Sequence, residues 1–123
     1  MAKVEKFEDL IAWQKARQLM NNVYEVSRVG KFGKDYRLAA QIQAASISVM
    51  ANIAEGFDRG RRAEFHQFLS IAKGSCSEVR SHLYAALDVG YLSKNQFDPI
   101  CELSEEVSRI INGLRNSIEG WDT

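Results

Sequence analysis

The pair Glu78 and His82 is the clearest candidate for acid–base or metal chemistry, because the two residues are four positions apart. That spacing places two side chains on one face of a helix. A di-iron site in a helical bundle needs a Glu-x-x-His pair on each of two helices, and the sequence contains no such pair. The other histidine, His66, precedes His82 on the same predicted helix and points elsewhere. We therefore predict no metal site and no cofactor.

Nucleophiles and phosphate-binding loops are absent from the sequence in recognisable form. Cys76 and Cys101 stand in apolar helical patterns without an adjacent histidine, so we predict reduced core residues, with a disulfide as the less favoured alternative. Neither a Gly-x-Ser-x-Gly turn nor a Gly-x-x-x-x-Gly-Lys loop occurs. The sequence thus predicts no catalytic residue, and a protein that is not an enzyme.

Positive charge is concentrated in two groups near predicted chain reversals. The first group consists of Arg59, Arg61 and Arg62, with Lys3 and Lys6 expected at the same end of the fold. The second group, expected at the opposite end, consists of Arg28, Lys31, Lys34 and Arg37. Clustered cations favour contacts with the phosphates of RNA or DNA, so the three arginines and the second group are candidate nucleic-acid-binding residues. The alternative is a solvated surface with salt bridges between subunits.

The total charge removes the usual overall argument for nucleic-acid binding. Sixteen Lys and Arg residues balance sixteen Asp and Glu residues, so the formal net charge is zero. The last predicted helix is acidic. Aromatic residues near the two basic groups, Phe32, Tyr36 and Phe57, would either stack on bases or anchor the loops in the core.

Glycines divide the sequence into four helical segments. Chain reversals are expected at Gly30 and Gly33, at Gly56 and Gly60, and at Gly90. Between them, apolar residues recur every three or four positions, as on one buried helix face. The predicted helices cover about 8–29, 34–55, 62–89 and 93–118, with Ser93 as the last N-cap. Long helices joined by short loops favour an all-α fold, an antiparallel up-down-up-down four-helix bundle.

Length and composition fit one globular domain over residues 1–123. The chain is 46% hydrophobic and 26% charged, which is the ordinary balance of a folded protein, and a second core would be too small to be stable. No apolar run approaches the roughly 20 residues that a spanning helix needs. The first ten residues lack the apolar stretch of a signal peptide. We therefore expect a cytoplasmic protein without a membrane partner.

Several blocks of residues resemble one known family in order and spacing. They are Phe7 to Ala16, Ala45 to Val49, Ala51-Asn52-Ile53-Ala54-Glu55-Gly56, Phe65 to Leu69, Ile71 to Ser75 and Gly90-Tyr91-Leu92. Together they resemble the 23S rRNA intervening-sequence proteins, a four-helix-bundle family encoded inside insertions of bacterial 23S rRNA genes. The resemblance implies a homopentamer. The related accessory protein of diversity-generating retroelements implies nucleic acid and a reverse transcriptase as further partners.

The family motif includes Asn52, Glu55 and Gly56, with Glu78 on the following helix. The structural interpretation is that Asn52 and Glu55 tie the end of the second helix to the loop and the third helix, while Gly56 adopts the left-handed conformation that ends the helix. The alternative makes Glu55 and Glu78 parts of a ligand site. Gly74 predicts a close helix approach or, alternatively, an exposed helix face.

Two functions are consistent with these features. The leading hypothesis is an oligomeric accessory protein that binds RNA or DNA through its basic ends. The competing hypothesis is a protein–protein interaction scaffold that does not bind nucleic acid, in agreement with the zero net charge.

Overall fold

The computed structural model describes residues 4–121, and these residues form helices without any strand. Five α-helices follow one another: α1 (Ile11–Ser27), α2 (Gly30–Lys34), α3 (Tyr36–Asp58), α4 (Arg62–Asp88) and α5 (Lys94–Ser117). Short 3-10 turns precede α1 at Phe7–Asp9 and follow α5 at Ile118–Gly120. The all-α prediction is confirmed. Within the described range, no helix is both long and apolar enough to cross a membrane.

The four long helices lie close to their predicted positions, whereas two details differ. α1 begins at Ile11 because Leu10 is extended, with φ −74° and ψ 126°, and separates the helix from the preceding 3-10 turn. The short helix α2 occupies the stretch that was expected to be a loop. It changes the direction of the chain between α1 and α3.

Gly56 does not end a helix, so this prediction was wrong. α3 continues to Asp58, and the left-handed residue in the turn is Gly60, with φ +75°. Gly56 is buried, and a Cβ atom there would stand 2.5 Å from the Cβ of Phe68. Its missing side chain therefore allows α3 and α4 to approach closely. Gly74 shows the opposite behaviour, since a Cβ atom there would have no neighbour within 4 Å.

Side-chain caps fix the beginnings of two long helices. Asp35 accepts a hydrogen bond from the Leu38 backbone N–H at 3.1 Å and starts α3. Ser93 starts α5, as predicted, and forms a reciprocal capping box with Gln96. Pro99 lies inside α5, in its second turn. These caps satisfy backbone groups that have no partner within the helix.

The core is formed where α1 and α4 each pack against α3 and α5. Among its fully buried residues are Leu19, Val23, Ile42, Val49, Ile53, Leu69, Val79, Leu83, Val107 and Ile111. The hydroxyl of buried Ser104 donates to the Cys76 carbonyl at 3.1 Å and joins α5 to α4. Cys76 and Cys101 are free and buried, as predicted. Burial raises the pKa of Cys76 to about 12, so its thiol is not a nucleophile at neutral pH.

Candidate nucleic-acid interface

The turn that contains α2 holds the second basic group, which we call the α2 basic end and define as Arg28, Lys31, Lys34 and Arg37. Phe32 anchors this turn, because its ring is buried and stacks on Tyr91 with 5.6 Å between centroids. Gly33 packs directly on the Arg28 backbone, where a Cβ atom would lie 2.6 Å from the carbonyl carbon. With Phe32 directed into the core, the cationic side chains lie on the outside of the turn.

The cations of the α2 basic end are exposed and carry no ion pair with any carboxylate in residues 4–121. The carboxylate nearest in sequence, Asp35, is occupied by the Leu38 N–H and by the Tyr91 hydroxyl, which donates to it at 2.9 Å. These two hydrogen bonds, with a smaller contribution from Arg37, hold the pKa of Asp35 below its ordinary value. Tyr36 lies beside these cations in the sequence and is 80% exposed. Of these two aromatic residues, Phe32 anchors the turn in the core, whereas the ring of Tyr36 is available to a ligand.

The first basic group, Arg59, Arg61 and Arg62, is mostly engaged by the protein itself. Arg59 pairs with Glu55 at 2.9 Å and lies over the Phe68 ring at 5.3 Å. Arg62 donates two 3.0 Å hydrogen bonds to the carbonyls of Glu119 and Trp121, which follow α5. Only Arg61 is largely free, with its side chain 81% exposed and 4.0 Å from Glu64.

The two basic groups lie at opposite ends of α3. Arg37 is in its first turn and Arg59 follows its last residue, which separates them by about 33 Å at 1.5 Å per residue. Lys6, expected beside the arginines, is exposed. Lys3 lies outside the described residues.

The polar residues of the family motif make contacts inside the protein. Asn52 donates to the backbone carbonyl of Ser48 at 2.8 Å and to its hydroxyl at 2.9 Å. The Ser48 hydroxyl meets the Ser75 hydroxyl of α4 at 2.9 Å. Asn52 is thus linked to the middle of α4, rather than to the loop at the end of α3.

The two motif carboxylates do not form a joint site in the structure. Glu55 pairs with Arg59, and Glu78 lies 3.3 Å from His82 on its own helix. No group of three or more His, Cys, Asp or Glu residues in the described part of the chain is arranged to hold a metal ion. The geometry of Glu55 and Glu78 is that of two separate local pairs.

A third basic feature was missed in the sequence. It is a groove between α4 and α5, lined by Lys73, Arg80, Glu105, Ser108, Arg109 and Asn112. Its cations come from two helices and are far apart along the chain, so no local cluster marks them. The available signal is the seven-residue spacing of Lys73 and Arg80, which places them two turns apart on one face.

Comparison with known proteins identifies the family of this chain. The model of the family described as 23S rRNA-intervening sequence protein matches residues 8–113. The chain belongs to this family. The membership predicted from the residue blocks is therefore confirmed.

A solved structure shares the fold of this family member. It is a protein with unknown function from the S23 ribosomal protein family of Bacteroides thetaiotaomicron VPI-5482, with a TM-score of 0.78 and 21% sequence identity. The alignment covers 85% of this chain and 98% of the other. At this identity the likeness concerns the fold alone. The comparison with curated proteins gave no match.

Proposed function

We propose that this 23S rRNA-intervening sequence protein is an oligomeric accessory protein that binds the phosphate backbone of RNA or DNA through its α2 basic end. The observation that carries the proposal is the set of four exposed cations, none of them ion-paired within residues 4–121, beside an exposed tyrosine. The proposal involves no catalytic step.

Both components of this surface suit a nucleic acid. Each Lys or Arg that neutralises a phosphate releases condensed counterions, which gives binding a steep salt dependence. An exposed aromatic ring such as that of Tyr36 stacks on an unpaired base without a sequence preference. In an oligomer the α2 basic end is repeated, so four charges per chain become a larger positive surface.

The experiment is a fluorescence anisotropy titration with structured RNA and duplex DNA, from low to physiological salt. In the variant K31Q/K34Q, we expect affinity to fall about tenfold or more and the slope of log K against log salt to become shallower by about 2, since each lost phosphate contact changes it by about 0.9. R59Q/R61Q, which removes two cations at the other end of α3, is the matched control and should bind like wild type.

Two results would contradict the proposal. One is an absence of binding by the wild-type protein at low salt. The other is an unchanged salt slope in K31Q/K34Q, and if R59Q/R61Q loses binding instead, the site lies at the first basic group.

The oligomer is proposed to form through the outer surfaces of α3 and α4. Ile47 is 43% exposed and Ile71 is 48% exposed. Ile47 precedes Ser48, and Ile71 lies one turn before Ser75, so both isoleucines are near the contact between these serines. Exposed Gly74 adds a surface without a side chain. The homopentamer implied by the family resemblance would cover these apolar groups.

A protein–protein scaffold is the second candidate, favoured by exposed apolar side chains beside the α2 basic end. Val29 is 58% exposed and Val89, in the turn after α4, is 61% exposed. A protein partner, such as the reverse transcriptase implied by the related accessory proteins, would use these side chains together with the cations. It predicts a stable complex with protein and no binding of RNA or DNA in the anisotropy titration.

We also propose an antiparallel up-down-up-down arrangement of the four long helices. It is supported by the short connection between α3 and α4, by the turn between α4 and α5, and by the contacts of α1 with both α3 and α5.

A cytoplasmic location is proposed as well. The two free, buried thiols support it, because reduced cysteines are typical of that compartment.

A further inference from the structure

The groove between α4 and α5 contains more hydrogen-bond donors than acceptors. It has a volume of about 300 Å³ and three cationic side chains, Lys73, Arg80 and Arg109, on its lining. Glu105 is the single carboxylate among the lining residues, and its nearest hydrogen-bonding contact is the Cys101 thiol at 3.6 Å. The groove is therefore positively charged.

Arg80 has an unused donor. Its Nη2 atom donates to the Ser77 hydroxyl at 3.2 Å, while Nη1 is buried and has no hydrogen-bond partner within residues 4–121. A buried guanidinium nitrogen without an acceptor is unfavourable, because it has lost its water and gained nothing in return. Arg80, which lines the groove, therefore carries one donor that no group of the described residues satisfies.

The same shortage of acceptors is found at Asn112, which lines the groove. The Asn112 side-chain oxygen accepts from both Lys73 Nζ and Arg115 Nη1, each at 3.1 Å. Arg115 Nε is a second buried donor without a partner in the described part of the chain. One amide oxygen thus serves two cations.

We propose that the α4/α5 groove binds a phosphate group, held by Arg80 and Lys73, with Arg109 at the rim. A phosphate offers several acceptor oxygens and negative charge at once, and the guanidinium fork matches its geometry. The Ser108 hydroxyl, which also lines the groove, is a further donor. Glu105 is the one lining carboxylate, against three lining cations.

This site goes beyond the α2 basic end and does not depend on it. The α2 basic end surrounds the beginning of α3, whereas Lys73 and Arg80 lie in the central part of α4. The phosphate group belongs either to a nucleic-acid backbone or to a small phosphate ester. The chemistry of recognition is the same in both cases.

The first measurement uses inorganic phosphate at constant ionic strength, with chloride as the balancing anion. Thermal unfolding of the full chain should shift upward by a few degrees as phosphate rises, because a ligand that binds only the folded state stabilises it. Side-chain NMR signals of Arg80 and Asn112 should move with the same saturation curve. R80Q should weaken phosphate binding at least tenfold.

Two further variants keep this test decisive if R80Q is unstable. K73Q/R109Q removes two lining cations and should also weaken phosphate binding at least tenfold. R17Q removes an exposed cation of α1 that packs on Trp13 and should leave phosphate binding unchanged. Equal shifts in chloride and phosphate, or wild-type phosphate binding in K73Q/R109Q, would overturn the proposal.

A competition experiment distinguishes the two sources of the phosphate group. If inorganic phosphate displaces a short RNA oligonucleotide, and K73Q/R109Q weakens both ligands, the groove holds a nucleic-acid backbone. If K73Q/R109Q loses inorganic phosphate but binds RNA like wild type, the groove holds a small phosphate ester. K31Q/K34Q should retain phosphate binding, so failure of the α2 basic end is recognised separately.

Discussion

Gly56 shows how the absence of one side chain determines helix packing. Its Cα faces the Phe68 side chain, and an added Cβ would lie 2.5 Å from Phe68 Cβ and 3.1 Å from a Phe65 ring carbon. The packing of α3 on α4 is thus limited by this position. The family motif is in this respect a packing motif, and its glycine faces a neighbouring helix rather than a loop.

We expect G56A to destabilise the protein by about 1–3 kcal/mol, because α3 and α4 must move apart to admit the methyl group. G113A is the matched control, since Gly113 is an exposed glycine of α5 with no atom within 4 Å of an added Cβ. It should gain up to about 1 kcal/mol from better helix propensity. Urea unfolding of both variants measures the difference, and equal stabilities would contradict this account.

The hydrogen bond that the Tyr91 hydroxyl donates to Asp35 predicts a stability that depends on pH. The Leu38 N–H and the Tyr91 hydroxyl lower the pKa of Asp35 below 3.8, while the bond to Asp35 raises the pKa of Tyr91 above 10.0. Asp35 contributes to the free energy of unfolding above its unfolded-state pKa, and this contribution disappears as pH falls through its folded-state pKa. Tyr91 contributes to the free energy of unfolding below its unfolded-state pKa, and this contribution disappears as pH rises through its folded-state pKa.

Y91F should therefore have a lower Tm than wild type at neutral pH, and the difference should shrink in acid below the ordinary carboxyl pKa. Thermal unfolding across pH checks this. The control is Y24F, which changes a partly buried tyrosine of α1 and should give a difference that does not vary with pH in the acid range. A constant difference for Y91F would refute the proposed coupling.

Among the elements, the long helices were predictable and the short one was not. Apolar periodicity defined α1, α3, α4 and α5, because each buries one face. α2 has only five residues, too few to show a period, and its glycines suggested a loop. Gly33 is in fact required by contact with the Arg28 backbone, which no local pattern reveals.

The basic groups could be predicted from the sequence, whereas only some of the residues that pair with them could be. The Glu55–Arg59 pair has the four-residue spacing of a helical ion pair. Arg62, in contrast, donates to carbonyls 57 and 59 residues further along the chain. Such a contact depends on how the helices pack, which the sequence did not specify.

R62Q should loosen the 3-10 turn Ile118–Gly120 at the end of α5. The guanidinium is the group that holds the Glu119 and Trp121 carbonyls, and its removal should cost about 1 kcal/mol. Hydrogen exchange should be faster at residues 118–121. R61Q is the control, because Arg61 is largely exposed, and similar exchange in the two variants would count against the role of Arg62.

For the whole molecule, the exposed isoleucines of α3 and α4 test the proposed assembly. I47D and I71D would each place a carboxylate in an apolar contact between subunits, which is unfavourable without a partner. We expect both variants to dissociate to smaller species in sedimentation velocity. I11D is the matched control, because Ile11 is 57% exposed at the start of α1. Wild-type mass for both variants would show that the subunits meet elsewhere.

The rates at which a thiol reagent labels the two buried cysteines report how the helices separate. Cys76 has no exposed surface and Cys101 is 6% exposed, and burial raises the pKa of both thiols. A thiol reagent therefore modifies Cys76 only in molecules whose α4 has left the core. The ratio of the two labelling rates reports whether α5 opens alone or together with α4, in the native protein and without denaturant.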